Sequence, residues 1–337
     1  MKRFSLCLIL GIALATGWMG ARTLAAGKSQ ARSSANASPQ TAKAVFEKMM
    51  TDLSNWGRWG KEDQLGTINL ITPEKRREAA RQVTEGFSVS LARDTDTEKA
   101  IDNANPLEHK MSIGVDDEFN MDSYSVFFHG FGHTHFDALS HVFYQGRMYN
   151  GFPQTSVTSE GAKYLAATNY AEGIFTRGVL VDIPRLRNVP YLETADRITA
   201  SDLDAWEKKT GVHIQSGDAV FIRTGRWARR AAVGPWDIGS QSAGLDPDCA
   251  RWFKQRGISL LGGDGASDAI PSPVAGVNFP IHLLVIVAMG TPMLDQCDLE
   301  NLAKAAASRN RYTFLLTFAP IRLKGGTGSL VNPIAVF

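Results

Sequence analysis

Hydrophobic and polar positions divide this chain into three stretches. Lys2 and Arg3 precede an apolar run from Phe4 to about Trp18, and small residues follow at Thr23, Ala25 and Ala26. A short positive start, an apolar centre and small residues beyond it read as an export signal over residues 1–26. The run is too short for a confident membrane span, so no stable span is expected after cleavage, and the mature protein is expected in the periplasm or outside the cell. Residues 27–42 are rich in Ser, Ala, Gln and Asn, with little to bury, and read as a disordered linker. From 43 to 337 apolar and polar positions interleave without a second linker or an internal repeat, which predicts a single domain.

Within that domain, helix starts are marked by caps. Thr72-Pro73-Glu74 sets a cap, a proline at the first helical position and an acid in the first turn. Thr199 with Asp202 opens a second helix that Gly211 closes, and Asp246-Pro247-Asp248 opens a third that ends at Gly257. Pro280 precedes the apolar segment 281–289, expected to be a buried helix, and Asp298 reads as the cap of a helix from Leu299. Short runs rich in branched residues, at 178–183, 219–223, 258–261 and 312–318, predict strands. Val179-Leu180-Val181 has no polar alternation, as expected of a strand covered on both faces. Interleaved strands and helices predict an α/β (α+β layered) fold.

Composition narrows the function. The chain has 337 residues, 44% hydrophobic and 21% charged, with a formal net charge of +2. Basic residues form no block longer than Lys75-Arg76-Arg77, so no nucleic-acid partner is expected. Only Cys249 and Cys297 follow the signal, too few for a disulfide framework. No Gly-x-Ser-x-Gly elbow is present, and neither cysteine lies in a nucleophile motif.

The distinctive chemistry lies in His129-Gly-Phe-Gly-His-Thr-His-Phe-Asp-Ala-Leu-Ser-His141, which holds four of the seven histidines. Imidazole and carboxylate are ligands that Zn²⁺ and Mn²⁺ accept. If the segment is extended, residues 129, 131, 133, 135 and 137 point to one face, with His135 and Asp137 about 7 Å apart. Gly130 and Gly132 keep the other face small, and His141 follows where the chain turns back.

Thr134-His-Phe-Asp-Ala-Leu-Ser-His141 resembles the His-x-Gly-Thr-His-x-Asp-x-x-x-His motif of the metal-dependent cyclase hydrolases, a family that includes bacterial kynurenine formamidases and isatin hydrolases. Asn55-Trp-Gly-Arg-Trp-Gly60, Leu65-Gly-Thr-Ile-Asn69, the 217–225 strand and turn, Gly325-Gly-Thr-Gly-Ser329 and Asn332-Pro-Ile334 extend the likeness over roughly residues 50–337. The resemblance implies a swivelling β/β/α domain and a homo-oligomer. It implies that His135 and Asp137 are metal ligands, that Asp137 bridges if two metals bind, and that His141 is the acid/base and a ligand of a second metal. The family's first histidine falls at Phe131, which cannot coordinate. Of the two neighbours, His133 is expected to fill the vacancy ahead of His129. The later family histidine and acid fall at His282 and near Asp295. Asp264 and Asp268 follow a buried strand and read as turn formers or as groups near the site. Trp56 and Trp59 are expected either in the core or walling a pocket for a flat substrate.

The function so implied is hydrolysis of a small amide, lactam or ester by a divalent metal, Zn or Mn, with kynurenine formamidase-like chemistry. An exported binding protein without turnover, and a metal-dependent lyase or dehydratase, fit the same residues.

Overall fold

The structure, a computed structural model, describes residues 39–337. The export signal and residues 27–38 of the expected linker lie outside that range. The frame is a nine-stranded mixed sheet. Its spatial order is β1 (Ser88–Ser90), β15 (Ile334–Val336), β13 (Thr313–Phe318), β7 (Ile174–Asp182), β9 (Ala219–Arg223), β11 (Leu260–Gly263), β12 (Met293–Asp295), β4 (His135–Asp137) and β14 (Gly328–Leu330). The central four, β7, β9, β11 and β12, run parallel. The strands on either side pair antiparallel. Three two-stranded ribbons stand outside the sheet: β2 (Glu108–Val115) with β3 (Phe119–Ser125), β5 (Val157–Thr158) with β6 (Gly161–Ala162), and β8 (Arg197–Ile198) with β10 (Gly244–Leu245).

All four expected strands lie in the large sheet. β9 is buried at every position, which explains its lack of alternation. β7 begins at Ile174, earlier than its apolar run suggests. Its first half hides polar side chains that are satisfied inside: Thr176 donates to the Gly217 carbonyl at 2.6 Å, and Arg177 grips the Asp218 carboxylate at 2.6 and 2.9 Å.

The helices are α1 (Pro39–Asp52), α2 (Pro73–Ala80), α3 (Ile183–Arg187), α4 (Ala200–Thr210), α5 (Arg226–Val233), α6 (Cys249–Arg256), α7 (Pro280–His282) and α8 (Glu300–Arg309). α1 starts inside the stretch expected to be linker, because Phe46, Met49 and Leu53 share a helical face and are buried in the core. α2, α4 and α6 begin and end where their caps predict. The Thr72 hydroxyl accepts from the Lys75 amide, Thr199 and Asp202 form a capping box, and Gly211 and Gly257 close with left-handed backbone. Cys249 and Cys297 are buried and free. Among the described residues no helix is long and apolar enough to cross a membrane.

The buried helix after Pro280 departs from expectation in geometry. α7 passes into a π-helix, Leu283–Ala288, a rare form that often marks functional sites. Its C-terminal end is clamped by the early segment. The Asn55 amide side chain donates to the Met289 carbonyl at 2.7 Å, and the Thr67 amide donates to the Gly290 carbonyl at 2.8 Å. Gly66 allows this approach, since a Cβ there would run into the Gly290 backbone. Trp56 belongs to the same clamp: its indole donates to the Val287 carbonyl at 2.7 Å. Neither Trp56 nor Trp59 lines the cavity beside the histidines.

Candidate metal centre

β4 and β12 are neighbours, and their register sets His135 directly opposite Asp295. Side chains at 135 and 137 share a face, so two strands deliver three donors to one side of the sheet. On the other flank β14 places Gly328 opposite Asp137. A Cβ at Gly328 would stand 2.7 Å from Cε1 of His129, so this glycine makes the room that His129 occupies.

The segment before β4 bends instead of continuing the pleat. Gly130 adopts a φ of +154°, which side chains rarely adopt, and the strand itself covers only His135–Asp137. Strict alternation therefore fails upstream of β4, and His129 and His133 part company. His129 returns to the site, with Nδ1 3.0 Å from Oδ1 of Asp137 and its ring stacked on His141 at 3.9 Å between centroids. His133, expected as the replacement ligand, points elsewhere. Its Nε2 meets the Asn105 carbonyl at 3.1 Å, beside a smaller cavity of about 110 Å³ that also touches Asp102 and Asn103. The expected order of the two histidines is thus reversed in space.

The other expected residues converge. Nε2 of His135 and of His141 lie 3.5 and 3.8 Å from Oδ1 of Asp137. Nε2 of His282 lies 3.8 Å from Oδ2 of Asp137 and 3.3 Å from Oδ2 of Asp295. Two donor sets share Asp137: His129, Asp137 and His141, and His135, Asp137 and Asp295, with the donor atoms of each set within 4.8 Å of one another.

Two hydrogen bonds orient the imidazoles. Nδ1 of His135 donates to the His133 carbonyl at 2.8 Å, turning Nε2 towards the carboxylates. Nδ1 of His282 donates to Oδ2 of Asp268 at 2.6 Å, and that carboxylate also accepts the Ile281 amide at 2.6 Å. Asp268 therefore aims His282 and anchors the start of α7 together. A second carboxylate behind an imidazole is a common support for a metal ligand. Asp264, from the same glycine-rich turn, instead accepts the Thr224 and Gly225 amides at 2.9 and 2.7 Å and shapes the backbone. Nothing in the sequence separated the two aspartates, because their roles depend on which neighbouring strand each meets.

Both carboxylate oxygens of Asp137, and Oδ1 of Asp295, are buried without a hydrogen-bond partner. Burying such oxygens unpaired is costly, on the order of 1–3 kcal/mol or more each. Their geometry fits a cation better than hydrogen bonds, and imidazole with carboxylate suits Zn²⁺ or Mn²⁺. Burial pushes the Asp137 carboxyl up, but the imidazoles of His141, His135 and His129 outweigh it and hold it well below the usual carboxylate range. Burial lowers His141 to about 4 despite the attraction of Asp137, with help from the neighbouring imidazoles, so its ring is neutral at physiological pH. Burial alone would lower His282 too, but Asp295 and Asp268 hold it well above the usual value.

A cavity of about 320 Å³ opens onto these donors. Phe131, Val142, Phe279 and Leu283 give it apolar walls, and Asn278 contributes a polar edge.

A mixed α/β sheet that carries such a His/Asp centre at the β4–β12 pairing defines the class, and the comparisons agree. Residues 72–268 match the Cyclase family model, described as "Putative cyclase". The chain belongs to that family. A crystal structure of a novel cyclase is similar over 85% of this chain and 100% of its own, at 31% identity and a TM-score of 0.77. Isatin hydrolase A from Labrenzia aggregata, bound to benzyl benzoate, shares the fold at 21% identity and a TM-score of 0.55, over 74% of this chain and 93% of its own. Isatin hydrolase A from Ralstonia solanacearum does so at 20% identity and a TM-score of 0.53, over 74% and 92%. Among curated proteins no match is found.

Proposed function

We propose that this protein is a metal-dependent hydrolase that cleaves a small amide, lactam or ester, acting on a C–N bond other than a peptide bond. The observation that carries the reading is the pair of unpartnered, buried Asp137 oxygens ringed by imidazoles beside an apolar cavity. His129, His135, Asp137, His141, His282 and Asp295 are the residues that would hold a divalent cation, Zn or Mn. Such a cation, when bound, acidifies water and polarises a carbonyl.

The chain's own residues do the rest. Asp137 carries the negative charge that a cation requires, and its depressed pKa keeps that charge in place. Asp268 holds Nδ1 of His282, and the His133 carbonyl holds Nδ1 of His135, so both present Nε2 inward. His141 is partly exposed at the cavity wall and neutral, which suits a base that takes the proton of the attacking water and returns it to the leaving nitrogen. Phe131 and Phe279 exclude water from the apolar part of the cavity and favour a flat substrate. The isatin hydrolases on the same fold support a cyclic amide as the first substrate to try.

The reading extends to an exported location, in keeping with residues 1–26. Purified protein loaded with Zn²⁺ or Mn²⁺ is expected to hydrolyse at least one member of a panel of aryl formamides, cyclic amides and esters, and to lose that activity with a chelator. Turnover that persists in metal-stripped protein contradicts the proposal.

A further inference from the structure

The β2–β3 hairpin pairs only with itself, and all its strand residues are exposed except the half-buried Val115. It is nevertheless rich in apolar side chains: Met111, Ile113, Phe119, Met121 and Tyr124 stand in solvent, with Ile113 81% exposed. The register puts Met111, Ile113 and Tyr124 on one face and Met121 on the other. A two-stranded hairpin alone is marginally stable in water, and a contiguous exposed apolar surface of this kind marks an interaction site. An arm apolar on both faces suits enclosure by another protein rather than rest on a flat surface. Its charge argues against a lipid headgroup surface as well. Glu108, Asp116, Asp117, Glu118 and Asp122 face a single Lys110, and acidic groups are repelled by anionic membranes.

The same chain carries a surface of the opposite character. Ile321-Arg322-Leu323-Lys324, between β13 and β14, is exposed throughout, with Leu323 60% exposed. It alternates apolar and basic residues where the hairpin combines apolar and acidic ones. Two such surfaces on one chain can be satisfied twice over across a two-fold axis, residue i meeting j and j meeting i. We infer that the β2–β3 hairpin is a dimerisation arm that docks on the 321–324 loop of a second copy of this chain. The arm is tied to the metal centre at its root: β3 ends at Ser125, and Phe127 and His129 line one small cavity with Ile101. The arm does not depend on the hydrolase reading, because its test needs no turnover.

Sedimentation of the mature protein over a range of concentrations, with circular dichroism as a check on folding, decides the matter. The wild type is expected to be a dimer at micromolar concentration. Ile113→Asp with Met121→Asp, and separately Arg322→Glu with Lys324→Glu, should each weaken dimerisation at least tenfold while leaving the fold intact. Adding Glu118→Lys and Asp122→Lys to the second pair should restore part of the loss. A monomeric wild type overturns the inference, whether or not it binds phosphatidylcholine vesicles. A dimer indifferent to the hairpin variants overturns the arm, and one indifferent to the loop variants overturns the docking partner.

Discussion

Removing the Asp137 carboxylate would leave imidazoles around a space without its negative centre. Asp137→Ala is therefore expected to abolish both metal retention and turnover, read by elemental analysis of the purified variant. Full occupancy in that variant would sink the ligand assignment. His129 and His133 provide a sharper test. His129→Ala removes a ring within 3.0 Å of Asp137 and should weaken metal affinity at least as much as the ~10–100-fold typical of a lost supporting group. His133→Ala should do far less, since that ring meets the Asn105 carbonyl; calorimetric titration of both variants checks the order. Asp268→Asn keeps the shape but weakens the acceptor behind His282, so a drop of ~10–100-fold is expected there as well. At this scale the sequence showed which residue types gather, from the crowding of histidines around Asp137. It did not show which of two histidines turns inward, because that choice is made by the bend at Gly130 and the space at Gly328. Asp268 was similarly ambiguous, since its partner His282 arrives from a separate element.

At the level of elements, local signals were reliable wherever a cap or an uninterrupted apolar run wrote them. α2, α4 and α6 are delimited by side chains that satisfy helix ends, and those side chains are visible in the sequence. β9 is legible because it is apolar throughout. The early start of β7 was hidden by Thr176 and Arg177, whose polar atoms find partners only after folding. The π-helix after α7 was equally hidden, since its wide turn depends on the clamp from Asn55, Trp56 and Thr67 far away in the chain. The strand edge at β14 offers a test that touches no donor atom. Gly328→Ala would push a methyl group against His129 and the Phe136 carbonyl. It is expected to lower metal affinity while the far-ultraviolet circular dichroism stays near that of the wild type. Unchanged affinity would mean that His129 does not need the position it occupies.

For the whole molecule, the site couples to folding. A cation held between β4, β12 and α7 binds the folded chain and not the unfolded one, so metal should raise the melting temperature and a chelator should lower it. Asp137→Ala should show neither shift. The overall α/β layering followed from the interleaving of strand and helix signals, whereas the strand order did not, because register between distant segments leaves no local mark. Export belongs to this scale too: N-terminal sequencing of the mature protein should begin after Ala25 or Ala26, and an intact Met1 on soluble protein would contradict it. The central claim, metal-dependent hydrolysis at Asp137, is tested most directly by turnover of a cyclic aromatic amide in heavy-oxygen water. Metal-loaded wild type, metal-stripped wild type and Asp137→Ala are compared by mass spectrometry of the product. The account predicts one solvent oxygen in the product from the loaded wild type and no product from the other two; equal product from all three, or product free of solvent oxygen, would contradict it.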